Sequence, residues 1–393
     1  MKNVIPYSRQ NILNNDVKKV IKVLKSDFIT RGPENENFEN KIKKYVNSKY
    51  CLTTNSATSA LYIACRSLKL SNKDIVWTSP ISFAASANCA ALCGAKIDFI
   101  DIDLDSYNIS VSKLEEKLKI AKKNNRLPKI LVVVHYAGYP CDMKEIYILK
   151  KKYKFYVIED ASHAIGSSYS NIKVGSNKHS DLTVFSFQAV KVITSAEGGS
   201  VTTNNKKIYD KLKILRSHGI NKESKYFEKK KNSKYPWYYE QIDLSFNFIL
   251  PDINAALGLS QLSRLNKDII KRNNLVKFYK KMLSDSKIKI LKIPKFIKSS
   301  HHLLPALFEF KDFEQKADFF NFMKKKNIIL QVLYIPIYRH PFYKKRGYNK
   351  KNFKNSEYFY KNVFSLPLHL KLDKQKIKFI CKNILKWINK SKN

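Results

Sequence analysis

The chain has 393 residues and a mass of 45.8 kDa, with 44% hydrophobic and 12% aromatic residues. That content excludes a mainly disordered protein, and the length predicts one large and one smaller domain. Lysine and arginine outnumber acids 74 to 32, for a formal charge of +42, but the runs at 229–231 and 324–326 are short and far apart. No helix-turn-helix, zinc-finger or RNP-like pattern accompanies them, so the excess reads as the bias of AT-rich codons and predicts no nucleic-acid partner.

The first ten residues lack the apolar centre of a secretory signal. From residue 51 to 204, short apolar runs alternate with amphipathic stretches. The pattern predicts strands at 51–54, 75–79, 97–102, 130–135, 155–160, 182–187 and 199–203, with helices such as 57–68 and 112–123 between them. Continuous β-branched runs of this kind are how strands covered on both faces read, so an α/β domain with a mostly parallel sheet is expected. The uncharged stretch 75–95 contains Pro80, Asn88 and Gly94, and is read as strand, loop and buried helix, not as a membrane span.

After Asn204 the pattern predicts a helix at 208–216, a Lys/Tyr-rich loop at 221–239 and one helical stretch from 251 toward 276. From about residue 288 it restarts with short elements at 303–310, 313–326, 328–333 and 374–388, read as a smaller α+β domain. Six cysteines without a Cys-x-x-Cys pair predict buried thiols of a reduced, cytoplasmic protein and support no metal site.

Three segments carry the chemistry. In Val184-Phe-Ser-Phe-Gln-Ala-Val-Lys191, followed by Glu197-Gly-Gly, a lysine leaves an apolar strand five residues after Ser186. An amine that condenses with an aldehyde must lose its proton, and burial promotes this. In Val157-Ile-Glu-Asp160-Ala-Ser-His163, an aspartate ends an apolar strand, a costly place without a cationic or hydrogen-bonding partner. A pyridinium nitrogen is such a partner: at ~4 Å and an effective dielectric of ~20 the attraction is about 4 kcal/mol. In Thr53-Thr-Asn-Ser-Ala-Thr58-Ser59, a strand turns into a helix of small residues whose free N–H groups and hydroxyls suit a phosphate dianion. Together the three describe pyridoxal phosphate, and a protonated ring is the electron sink its chemistry uses.

The strings Asn55-Ser-Ala-Thr-Ser-Ala-Leu, Glu159-Asp-Ala-Ser-His-Ala and Phe185-Ser-Phe-x-x-x-Lys-x-Ile-Thr-x-x-Glu-Gly-Gly resemble the DegT/DnrJ/EryC1/StrS family of sugar aminotransferases. Further matches run from Ile5-Pro-Tyr through Asp27-Phe-Ile-Thr-Arg-Gly-Pro and Arg216-Ser-His-Gly to Gln331-Val-Leu-Tyr-Ile-Pro, nearly the whole chain. The resemblance implies aminotransferase fold type I. Its large cofactor-binding domain, with a mostly parallel seven-stranded sheet, would span 15–265. The smaller α+β domain would span 266–393, with segment 1–14 packing at the active site. It also implies transfer of an amine from L-glutamate to a keto-sugar nucleotide, in a homodimer with shared sites. The branch most resembled acts on a UDP-linked 4-keto-6-deoxy-N-acetyl sugar on the way to pseudaminic acid; GDP-perosamine and legionaminic-type precursors are the alternatives.

Residue by residue, the resemblance gives Lys191 the tether to the cofactor aldehyde and the proton shuttle. Asp160 pairs with the ring nitrogen, His163 lies near the phenolic oxygen and Phe83 stacks on the ring. Thr58, Ser59 and Ser186 hold the phosphate, with Asn247 reaching it from the partner subunit. Tyr7, Asp27, Phe28, Ile29, Thr30 and Tyr334 contact the nucleotide sugar. Gln188, Ile249 and Leu333 depart from the family pattern; none removes a group the cofactor chemistry requires, and the last two bear on substrate or interface contacts.

Overall fold

The computed structural model describes residues 4–348 and 352–390. Seven strands form its central sheet: β1 Tyr50–Thr54, β2 Ile75–Thr78, β3 Lys96–Phe99, β4 Ile130–Val134, β5 Tyr156–Asp160, β6 Leu182–Ser186 and β7 Gly199–Thr203. Their order is β1-β7-β6-β5-β4-β2-β3. All neighbours are parallel except β7, which runs antiparallel to both β1 and β6. Every expected strand is present, most shortened by a residue or more at one end.

Burial on both faces explains the strand sequences. β4 is Ile-Leu-Val-Val-Val, and alternate residues feed different cores. Ile130 and Val132 pack with Leu61, Ile63 and Val76, while Leu131 and Val133 pack with Leu114, Leu118 and Ile146. At about 25 cal/mol per Å² of apolar surface, each such side chain contributes roughly 1.5–3 kcal/mol before chain entropy is counted.

The helix Ala57–Ser67 follows β1 and has Ser56 as its cap, whose Oγ accepts the Ser59 N–H at 3.1 Å. Its first turn lies against β7 so closely that a Cβ on Gly199 would come within 2.6 Å of the Ala57 nitrogen and the Ser56 carbonyl group. The absence of a side chain at 199 is what lets the helix start lie over the sheet edge.

The single helical stretch expected after residue 251 is two helices, Asp252–Leu262 and Leu265–Met282. At the break the Ser263 hydroxyl bonds the Ser260 carbonyl at 2.6 Å. Arg264 turns back onto the fully buried Asp16, with N–O distances of 2.6 and 2.8 Å. That buried pair attaches the N-terminal helix Asn14–Leu24 and competes with helix continuation.

A second core gathers Leu275, Val276 and Tyr279 with the helices Phe313–Lys325 and Lys374–Lys390. These cover a three-stranded antiparallel sheet, Lys289–Ile290, Leu304–Leu307 and Val363–Leu366. The expected short element at 328–333 is an extended segment with isolated bridges, Ile5 to Ile328 and Gln331 to Ser365. Of the expected segment 1–14, residues 1–3 lie outside the described residues. Among the described residues, no helix is long and apolar enough to cross a membrane.

Candidate active site

At the carboxyl edge of β4, β5 and β6 the chain encloses a cavity of about 500 Å³. Its walls bring together Tyr7, Thr58, Phe83, Asp160, His163, Ser186, Lys191 and Tyr334, from six separate parts of the sequence. Open α/β sheets place ligands at this edge because the strand ends and the following loops converge there. A second, more open groove of about 600 Å³ lies between Arg31, Glu39, Lys43 and Arg216. Arg216 is neutralised there by Glu39 at 2.7 Å, and the groove contains neither Lys191 nor Asp160.

Lys191 sits in the loop after β6, its N–H bonded to the Gln188 carbonyl at 2.9 Å. Burial pulls its amine down to about 8, against the opposing pull of the Asp160 and Glu197 carboxylates. A lysine in that range supplies a useful fraction of free amine near neutral pH.

Asp160 ends β5 and is 5% exposed. One carboxylate oxygen accepts the Ser162 N–H at 3.2 Å and its hydroxyl at 2.6 Å; the other accepts the Ser86 hydroxyl at 2.5 Å. Beneath it, the buried pair His135 and Glu159 meets at 2.7 Å, with Ser180 and Thr183 also donating to Glu159. Burial raises the Glu159 pKa, but these donors, His135 first, outweigh it and hold the group below its ordinary value.

His163 has its tautomer set by the backbone: Nδ1 accepts the Ala137 N–H at 3.2 Å, so the proton sits on Nε2. Burial, and secondarily the Lys191 charge, hold its pKa well below the ordinary value. The ring of His302, 4.6 Å away, backs it and lines the same cavity. Phe83 is 62% exposed, its ring 6.1 Å from that of Tyr334.

Other expected residues lie elsewhere in this chain. Ser59 does not line the cavity; its hydroxyl is engaged by Asn55 at 2.7 Å and by Ser56 at 2.9 Å. Ser56 and Ala57 take the wall position beside Thr58. Asn247 is exposed, and its side chain accepts the Ile249 N–H at 3.2 Å. Asp27, Phe28, Ile29 and Thr30 are exposed on a loop tied by the Ile29 carbonyl to the start of the helix Asp252–Leu262. Of the three departures, Gln188 and Leu333 line the cavity and Ile249 lies in the groove with Arg216.

Sequence reasoning missed Ser82, Ser86, Ser162, Glu197 and His302. Ser82 and Ser86 stand four apart beside Phe83, and Ser162 is two residues past Asp160; both spacings were visible signals. Nothing in the sequence around His302 marks it.

The residues present fit pyridoxal phosphate on structural grounds. The glycine-floored helix start suits a dianion, the fixed carboxylate suits a ring nitrogen, and the buried amine suits an aldehyde. Fold and site together define a class: a fold-type I, pyridoxal-phosphate-dependent aminotransferase.

The chain belongs to the DegT/DnrJ/EryC1/StrS aminotransferase family, whose model matches residues 10–385. It is 39% identical over 390 residues to the UDP-4-amino-4,6-dideoxy-N-acetyl-beta-L-altrosamine transaminase of Campylobacter jejuni, with 99% of each chain covered. Among solved structures it is similar to Helicobacter pylori PseC, an aminotransferase involved in the biosynthesis of pseudoaminic acid. That match has a TM-score of 0.90 and 34% identity, covering 99% of this chain and 100% of the other. The PLP form of the putative sugar aminotransferase Spr1654 from Streptococcus pneumoniae matches at a TM-score of 0.88 and 27% identity, covering 98% and 99%. The chain is therefore a nucleotide-sugar aminotransferase that uses pyridoxal phosphate.

Proposed function

We propose that the enzyme moves an amino group from L-glutamate to C4 of a UDP-linked 4-keto-6-deoxy-N-acetyl sugar, in the cytoplasmic route to pseudaminic acid. The observation that carries this reading is the 39% identity with the Campylobacter jejuni transaminase across 99% of both chains. When bound, pyridoxal phosphate would supply the amine carrier and, through its protonated ring, the electron sink that the transfer uses.

In this reading Lys191 holds the cofactor between turnovers and moves a proton at its Nζ, which burial makes easy to deprotonate. Asp160, fixed by its serine donors, holds the ring nitrogen. Thr58, Ser186 and the first N–H groups of the helix Ala57–Ser67 hold the phosphate, with Ser56 as the cap that takes the Ser59 N–H. His163 donates from Nε2 near the phenolic oxygen, and Phe83 covers the ring. Tyr7 and Tyr334 face the sugar.

Asn247 and the loop Asp27 to Thr30, exposed in one chain, complete the site of a second copy in a homodimer. The separate core around Tyr279 and Phe319 supports a division into a cofactor-binding domain, 15–265, and a smaller domain, 266–393.

The test is a panel of keto sugars supplied with glutamate, each product identified by mass and NMR. Amination of the UDP-linked 4-keto-6-deoxy-N-acetyl sugar at the highest kcat/KM supports the reading. A preference for a GDP-linked sugar, or for a legionaminic-type precursor, overturns the assigned substrate and leaves the family chemistry standing.

A further inference from the structure

Asp160 is held from two sides by elements far apart in sequence. Ser162, in the loop just past β5, donates to one carboxylate oxygen. Ser86, on the helix Ala85–Ala91, donates to the other at 2.5 Å. The Ser86 Oγ is also 2.6 Å from the Ser82 Oγ, and all three side chains are buried.

The direction of this chain follows from proton counting. An ionised carboxylate only accepts, so the single Ser86 proton goes to Asp160. The Ser82 hydroxyl must then donate to Ser86, which leaves the Ser82 oxygen as an acceptor at the cavity wall. A buried helical serine ordinarily satisfies itself on its own helix, as Ser67 does on the Ala64 carbonyl at 2.7 Å. Ser86 gives up that local bond for a carboxylate 74 residues away.

We propose that Ser86 is a positioning residue for the transamination. Through the chain Ser82 to Ser86 to Asp160, it fixes the carboxylate in the orientation that grips the cofactor ring. The proposal rests on the reading that Asp160 faces the ring nitrogen. Without Ser86, one oxygen loses its donor and the carboxylate is held from the Ser162 side alone. The grip on the ring then weakens while the sugar-facing wall stays intact.

The test is a double-mutant cycle on the enzyme, with the cofactor dissociation constant and the kcat and KM values as readouts. Ser86→Ala is expected to raise the cofactor dissociation constant about ten- to a hundredfold, the range of a charge-assisted hydrogen bond. It lowers kcat comparably, with KM for the sugar unchanged. Ser82→Ala, at a milder site, gives a smaller loss of the same kind.

In an Asp160→Asn background, Ser86→Ala adds no further loss, because its effect runs through the carboxylate. Wild-type cofactor affinity in Ser86→Ala, or a loss that adds fully to that of Asp160→Asn, overturns the proposal. Unchanged cofactor affinity in Asp160→Asn itself overturns the underlying role of Asp160.

Discussion

The Nε2 atom of His163 lies 3.1 Å from the hydroxyl of Tyr334, and the two rings stack at 6.0 Å with 16° between their planes. With Nδ1 committed to the Ala137 N–H, His163 presents a fixed donor and stays neutral. A glutamine there retains a donor, whereas a phenylalanine removes it. His163→Gln is therefore expected to keep kcat within about tenfold, and His163→Phe to lose on the order of a hundredfold, in steady-state assays. Because burial holds the pKa well below its ordinary value, the wild-type kcat profile should show no inflection from this ring between pH 6 and 8.

Lys191 sets a pH dependence of the opposite kind. With the amine at about 8, stripped enzyme should take up cofactor aldehyde covalently at a rate that climbs to about pH 8 and levels above it. Rapid-mixing absorbance, followed by borohydride trapping and mass spectrometry, reads the rate and the site of attachment. Lys191→Ala should show no trapped adduct and no turnover.

Gly199 is the floor of the Ser56–Ala57 turn, the turn the proposed reading gives to the phosphate. An added Cβ would sit 2.6 Å from the Ala57 nitrogen and the Ser56 carbonyl group, which are backbone atoms and cannot swing aside. Gly199→Ala is expected to cost about 1–3 kcal/mol, as overpacking does, and to lower cofactor affinity as well. Urea unfolding and equilibrium dialysis measure the two effects separately.

Asp101 is a cap supplied from outside its helix. Its carboxylate accepts the Ser356 N–H at 2.9 Å, the Ser356 hydroxyl at 2.5 Å and the Asn355 N–H at 3.0 Å, at the start of the helix Lys354–Asn362. That helix has no side-chain cap of its own. Asp101→Ala strands the two buried Ser356 donors and the half-buried Asn355 N–H, and should lower the unfolding free energy by about 2–4 kcal/mol, seen as a fall in the urea midpoint at unchanged m-value.

Lys316 is 5% exposed, its amine held by the Tyr360 carbonyl at 2.6 Å, and burial pulls it down to about 7. In the unfolded chain the amine titrates near 10.5, so between pH 7 and 10.5 the unfolded state binds more protons and stability rises with pH. Lys316→Met should flatten that slope in pH-dependent thermal melts, with its largest gain in Tm below pH 7, where the wild type carries a buried charge.

The seven strands of the sheet were readable because burial on both faces forces continuous β-branched runs, as in Ile130 to Val134. The break at Ser263 was not readable. The residues on either side suit a helix, and only the distant Asp16 draws Arg264 away. The type of the element at 328–333 was not readable for a related reason: its apolar residues Ile328 and Leu330 pack in the second core, without a ladder partner along the segment's length.

The sequence by itself determined the chemistry: the Lys191, Asp160 and Thr58 segments each carry a local pattern whose side chains suit one part of pyridoxal phosphate. The tertiary structure decided how those groups are held. Ser86 reaches Asp160 across 74 residues, His302 backs His163, and Gly199 admits the Ser56–Ala57 peptide, contacts between segments far apart in the sequence. A hydrogen bond or close approach between remote segments leaves no periodic trace in a chain, because its energy depends on where the fold brings the two ends.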